Sequence, residues 1–238
     1  MVLISVVVPT LNEEKFIERT LEALQDQTLP KHEYEIIVSD SSSNDSTVEI
    51  AKGLADKVVI CDRVSAGFGR NFGAKHAKGK LLVFIDADTI ANPRYLEGAK
   101  EALSKWIAAT GPVRALEKDD VLLRLFFRYW SFNTRLSLFL RYPIFPGFNF
   151  AVRKSVFEQA QGFITQDITT EDLELSLRLC KYGKLGYNKK MLVYTSTRRL
   201  REISVPSYVA NGVKYILFKK CHSWSEHRQD FSQIYPKK

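Results

Sequence analysis

The chain opens on a run of apolar and β-branched residues, Leu3–Val8, that stops at Pro9. A run of this length bounded by a breaker predicts a strand buried on both faces. From Asn12 the period changes. Phe16, Ile17, Thr20, Leu21 and Leu24 recur at helical spacing, which predicts a helix. The exchange then repeats, with strands at Glu35–Ser39, Val58–Cys61 and Leu81–Ile85 and helices near Thr47–Ala55 and Gly69–Ala77. The polar turn Ser41–Ser46 offers N-caps to the helix at Thr47. Strands alternating with helices in this way predict an α/β fold, a mostly parallel central sheet with helices on both faces.

Beyond Asp88 the pattern loosens. Tyr95–Ile107 reads as a helix ended by Thr110-Gly111-Pro112, and shorter helices are predicted at Lys154–Gln161 and Leu173–Tyr182. Val121–Arg141 is long, apolar and aromatic, with polar residues at Arg124, Arg128, Ser131 and Arg135. Steps of four, three and four place those residues on one narrow stripe, so this segment is expected to be an amphipathic interfacial helix. It would lie on anionic lipid, with Phe126, Phe127, Tyr129, Trp130 and Phe132 dipping towards the acyl boundary.

Composition bounds the rest. At 238 residues and 45% hydrophobic, the chain can bury one substantial core. The net charge of +8 is clustered: Val121–Arg141 holds four Arg and no acid, and Lys214–Lys238 holds six Lys/Arg against two acids. Cys61, Cys180 and Cys221 stand far apart, as expected of reduced thiols in the cytosol. The N-terminal run lacks a basic leader and no apolar run reaches about 18 residues, so neither a signal peptide nor a spanning helix is expected. These features together suggest a cytoplasmic protein, peripheral on the cytoplasmic face of a membrane.

Three polar clusters follow strands: Pro9–Glu13, Asp40, and Asp86-Ala87-Asp88. In open α/β sheets the ligand crevice lies outside the carboxyl ends of the strands, so the three converge in space. Two carboxylates one residue apart at a strand end can turn towards one divalent ion, and hard oxygen ligands suit Mg²⁺ or Mn²⁺ bridging two phosphates.

Val7–Glu14, Ile36–Thr47, Ala66–Ala74 with the Asp86-Ala87-Asp88 strand, and Thr170-Glu171-Asp172 occur in an order and spacing that resembles the family 2 glycosyltransferases of GT-A fold. The resemblance covers roughly residues 2 to 200 and implies an inverting transfer of sugar from a nucleotide-diphosphate donor, UDP- or GDP-linked, to a hydroxyl or phosphate acceptor, a lipid-linked one included. It implies that Pro9, Thr10, Glu13, Asp40, Arg70 and Asp86 bind the nucleotide, that Asn71 assists, and that Asp88 holds the metal. Asp172 would be the general base, with Glu171, Arg198, Arg199 and Asn149 near the diphosphate or acceptor. It also divides the chain into a transferase domain over 1–200, with a nucleotide half at 1–92 and an acceptor half at 93–200 around the helix at 121–141, and a basic extension at 201–238. Two departures stand out. Ser41 occupies the place of a second acid after Asp40, and Ser196–Leu200 lacks the Gln and Trp of processive relatives.

Two alternatives are open at this level. Phe84–Ile90 also resembles the nucleophile motif of haloacid-dehalogenase-type phosphatases, with Asp86 as nucleophile, but three strand-like segments precede it and no later Gly-Asp-x-x-x-Asp cluster follows. A basic module binding membrane or nucleic acid would account for the charge alone. No helix-turn-helix, zinc knuckle or aromatic RNA platform supports the second of these, and no nucleic-acid partner is expected.

Overall fold

The computed structural model describes residues 1–63, 65–117, 121–140, 142–164 and 171–198. The first apolar run becomes β1 (Ile4–Thr10), which lies between β2 (Tyr34–Asp40) and β4 (Leu81–Phe84), with β3 (Lys57–Ile60) outside β2. These four strands are parallel, and the register sets Thr10 opposite Asp40 and Val7 opposite Phe84. Their carboxyl ends therefore open on one edge. Past β4 the sheet continues through β8 (Phe150–Arg153), β6 (Ala108–Thr110) and β9 (Leu185–Tyr187). β8 is antiparallel to both neighbours and β6 pairs β9 in parallel, so four of the six pairings are parallel. Strands from both sides of residue 92 share the sheet.

Alternation along the strands builds two cores. Val6, Val8, Ile36, Val38 and Val83 face α1 (Ile17–Gln25) and α4 (Tyr95–Lys105). Val7, Ile37, Leu82 and Phe84 face the opposite way, towards α3 (Ala66–Lys75), α6 (Lys154–Gln159) and α7 (Glu171–Leu179). Each fully buried side chain of this size contributes about 1.5–3 kcal/mol. α3 approaches β1 closely because glycine permits it. A Cβ at Gly73 would stand 2.4 Å from Val7 Cγ1.

Local chemistry moved several helix starts. The helix expected from Asn12 begins at Ile17, because Asn12 is left-handed (φ 54°) and the loop is stitched to the segment ahead of α2 (Thr47–Leu54). Asn12 N–H donates to Ser43 Oγ at 2.8 Å and Glu13 N–H to Thr47 Oγ1 at 2.7 Å. α3 begins earlier than its glycines suggest, at Ala66, with Ser65 capping the Phe68 N–H at 3.4 Å.

A second sheet was not expected. β5 (Thr89–Ala91) pairs antiparallel with β10 (Val193–Thr195), which pairs in parallel with β7 (Val113–Ala115). α5 (Val121–Phe139) packs on β7, and Ser131 Oγ accepts from Val113 N–H at 3.0 Å and donates to Val113 O at 3.1 Å. This corrects the expected stripe. Ser131 faces the sheet, whereas Arg124, Arg128 and Arg135 are exposed. Phe127 is core, Phe126 and Trp130 pack against the core, and Tyr129 and Phe132 face outwards. Among the described residues no helix is long and apolar enough to cross a membrane. Arg199 and the extension at 201–238 lie outside the described residues.

Candidate active site

The carboxyl ends of β1, β2 and β4 form the floor of a pocket of about 350 Å³. Pro9, Thr10, Leu11 and Glu13 line one side, Ser41, Ser65 and Ala66 another, and Asp86, Ala87 and Asp88 the third. Ser65 and Ala66 are there because α3 points its N-terminus into the pocket, where unpaired N–H groups favour anions.

Asp40 lies beneath this surface. It is fully buried; Oδ2 accepts from the Thr10 hydroxyl at 2.9 Å and Oδ1 from Ser43 N–H at 2.8 Å. It thereby braces Thr10 and the turn after β2, and Ser41 is the residue of that turn that reaches the pocket wall.

Glu13 and Asp88 are joined by Arg198. Its Nη2 donates to Glu13 Oε1 and its Nε lies 3.3 Å from Asp88 Oδ2, while the guanidinium stacks 4.6 Å from the Phe16 ring centre. The segment before Arg198 is fixed to the same strands: Ser196 N–H donates to Asp88 O at 3.1 Å and Thr89 Oγ1 to Thr195 Oγ1 at 2.9 Å. Glu117 accepts from the Thr197 N–H at 2.9 Å.

Arg70 lies behind Asp86. Its side chain is 4% exposed and divides itself between Asp86 Oδ1 at 2.8 Å and Glu171 Oε1 at 3.0 Å. Burial opposes its charge, but Asp86 and Glu171 outweigh that and hold the guanidinium protonated well above its ordinary range. Gly147 is pressed against it, since a Cβ there would meet the guanidinium carbon at 2.8 Å. The same Gly147 donates its N–H to Asp172 Oδ2 at 2.9 Å. Asp172 is thus held one residue from Glu171 and one guanidinium from Asp86. Burial first, and Glu171 second, push its pKa from 3.8 up to about 6, against the opposing pull of Arg70 and two N–H donors. A carboxylate so placed exchanges protons close to neutral pH.

The structure therefore brings Pro9, Thr10, Glu13, Asp86 and Asp88 to one pocket and sets Arg198 at its edge, with Glu171 and Asp172 behind Arg70. Arg70 is not among the residues lining the pocket, and both of its terminal nitrogens are engaged by carboxylates. Asn71 holds the Phe163 backbone at 2.7 and 2.9 Å and is fully buried. Asn149 is displaced most from its expected role as a diphosphate or acceptor contact. It is fully buried, accepts from Tyr95 OH at 2.9 Å, and donates to the carbonyls of Gly111, Pro112 and Met191 at 3.1–3.3 Å. Its amide ties the start of α4 to two loops and is shut off from solvent. The sequence motifs contain Leu11, Ser41 and Ala66 but gave them no site role, and Ser65 was missed, although its place ahead of Ala66-Gly67-Phe68 carried the signal of an N-cap.

A divalent ion fits these residues in one way. Asp86 and Asp88 share the pocket with Glu13, whose Oε2 is buried without a hydrogen-bond partner. Among the described residues no group of three or more His, Cys, Asp or Glu forms a cage. The donor set suits Mg²⁺ or Mn²⁺ taking one or two carboxylates and completing its shell from phosphates and water.

Known proteins resemble this chain in sequence and fold. The family model described as glycosyl transferase family 2 matches residues 5–160. The probable glycosyltransferase YdaM of Bacillus subtilis is 30% identical over 199 residues, covering 76% of this chain and 47% of that protein. The mannosyltransferase PcManGT of Pyrobaculum calidifontis, solved with GDP-Man and Mn²⁺, superposes with a TM-score of 0.70 at 23% identity, covering 90% of this chain and 64% of that one. Staphylococcus aureus TarS 1-349, solved with UDP-GlcNAc, gives 0.66 at 22% identity, covering 82% and 58%. The chain spans between 23% and 47% of the length of the first curated relatives it matches. Asp86 stands after the fourth strand and is tied to Arg70, unlike a phosphatase nucleophile on a first strand. By the family match across most of its length, and by its fold, this chain belongs to glycosyl transferase family 2.

Proposed function

We infer that the chain transfers a sugar from a UDP- or GDP-linked donor to an acceptor hydroxyl or phosphate, with inversion at the anomeric carbon and without processive polymer growth. One observation carries the reading: two sets of carboxylates flank a single buried guanidinium, Asp86 on the pocket side of Arg70 and Glu171–Asp172 on the other. The pocket walls at Pro9, Thr10, Leu11 and Ser41 suit a nucleoside, and the start of α3 suits its diphosphate. A divalent ion held at Asp88 would supply neutralisation of the charge that builds on the leaving diphosphate. For a hydroxyl acceptor, Asp172 takes the proton as the acceptor oxygen bonds to the anomeric carbon, and the nucleoside diphosphate departs with the electron pair of the broken C–O bond. An elevated proton affinity suits that task, and an oxocarbenium-like transition state is expected of glycosyl transfer. Arg70 holds the acids of both sides in register without meeting the donor itself.

The test is a thermal-shift panel of UDP, GDP, ADP and CDP with and without Mn²⁺, followed by assignment of the product anomer by NMR. Selective, Mn²⁺-dependent stabilisation by UDP or GDP and an inverted anomer are expected. Equal response to every nucleotide, or to none, overturns the donor assignment; a retained anomer overturns the mechanism.

A further inference from the structure

Ten large hydrophobic side chains are exposed among the described residues, and seven of them lie between Val121 and Leu140. Six of these, Val121, Leu125, Tyr129, Phe132, Leu136 and Phe139, are spaced by four, four, three, four and three residues. At 3.6 residues per turn they fall within an arc of about 80°. The helix face that packs on the protein, through Leu123, Phe127, Thr134 and Ser137, lies on the opposite side. α5 is thus apolar on two faces, one spent on the core and one left outside. Exposure reaches 60% at Phe132 and 83% at Phe139.

The charge of this helix identifies the occupant. Arg124, Arg128 and Arg135 are exposed along one edge of the outer stripe, and no acid occurs between Val121 and Leu140. An apolar stripe bordered by arginine matches a surface with acyl chains below and anionic headgroups at the rim. Residues 199–238 carry eight Lys/Arg against three acids. Their net charge has the same sign as the arginine edge and adds to the pull of an anionic surface.

We propose that the outer face of α5 docks the protein in the plane of an anionic lipid bilayer, with Phe132 and Phe139 inserted and Arg124, Arg128 and Arg135 at the headgroups. The position serves the site. α5 packs on β7, whose neighbour β10 leads into Ser196–Arg198 beside Asp88, and the chain leaving α5 runs on to Gly147, which holds Asp172. A lipid-borne acceptor would meet the base at the bilayer surface. That acceptor rests on the transfer reading above, whereas the docking does not.

The experiment is sedimentation of the full chain with vesicles of phosphatidylcholine alone or mixed with phosphatidylglycerol, beside donor turnover in solution. Binding to the mixed vesicles is expected, at least tenfold weaker for F132S/F139S. The triple variant R124Q/R128Q/R135Q is expected to lose the preference for anionic lipid. Both variants should keep the parent's melting temperature, because the substituted side chains face outwards. No binding by the parent, or equal binding by F132S/F139S, overturns the proposal. So does a concentration-dependent dimer that F132S/F139S abolishes while vesicles are ignored. Loss of turnover with vesicle binding intact would count against the transferase reading alone.

Discussion

Replacing Asp172 by Asn removes one proton-accepting oxygen and changes little else in shape. The native carboxylate accepts from Leu173 N–H at 2.7 Å and from Gly147 N–H at 2.9 Å, one on each oxygen. An amide can satisfy only one of these, leaving the other N–H facing an NH₂, at a cost of about 1–3 kcal/mol. An opposing effect comes from charge. The folded pKa, about 6, exceeds the ordinary 3.8, so the folded state holds the proton more tightly than the unfolded one. The ionised group therefore costs nothing below pH 3.8, and its cost grows through pH 6 to about 3 kcal/mol above it, at ~1.4 kcal/mol per pH unit. Asn escapes that cost. At pH 8 the two effects nearly cancel, and Asp172→Asn should melt within a few degrees of the parent; at pH 5 the variant should be the less stable. Transfer should fall by roughly 10²–10⁴-fold with donor KM unchanged. Parental kcat/KM should rise with pH through about 6, where Asp172 loses its proton, and the variant should lack that limb. The assay is release of nucleoside diphosphate from pH 4.5 to 8.5, beside melting curves at the two ends, on a scale of about one decade per 1.4 kcal/mol. Transfer above about a tenth of the parental rate would refute the assignment of the base, since a lost general base costs at least ~10²-fold.

Asp88→Ala should abolish the Mn²⁺-dependent part of stabilisation by nucleoside diphosphate, which for saturating ligand is about 2–4 kcal/mol, as read by thermal shift. Arg198→Ala frees Glu13 and Asp88 of their shared cation. Mn²⁺ should then bind the donor-free protein about tenfold more tightly by calorimetry, the low end of the ~1–4 kcal/mol between charges near 4 Å at a partly wet site. Unchanged affinity would show that Arg198 does not compete for Asp88. Asn149→Leu strands the Tyr95 hydroxyl and three carbonyls, and urea unfolding should register a loss of about 3–5 kcal/mol. Gly73→Ala forces a methyl against Val7 and should cost about 1–3 kcal/mol without changing donor affinity.

Much of the first half was legible in the chain itself. β1, β2 and β4 are runs of apolar residues closed by Pro9, Asp40 and Asp86, and buried strands in a parallel sheet can be little else. Their shared direction puts Thr10, Glu13, Asp86 and Asp88 at one edge, because strand-end geometry is local and repeats. The three-stranded sheet was not legible. Its strands are three residues long, too short to show a period, and they come from residues 89–91, 113–115 and 193–195. Only pairing across about a hundred residues makes them strands. The same holds for side chains whose meaning is set by burial. Asn149 read as a ligand contact and proved a clamp, because four partners distant in sequence, one in α4 and three in loops, engage its amide. Arg70 lay in a motif that resembles a nucleotide site, and the fold set it between Asp86 and Glu171, which are 85 residues apart in sequence. α5 shows the division most plainly. Sequence determined that it is a helix, long, apolar and edged with arginine; tertiary packing alone decided which apolar face the core would take, because both are hydrophobic and only contact with β7 distinguishes them.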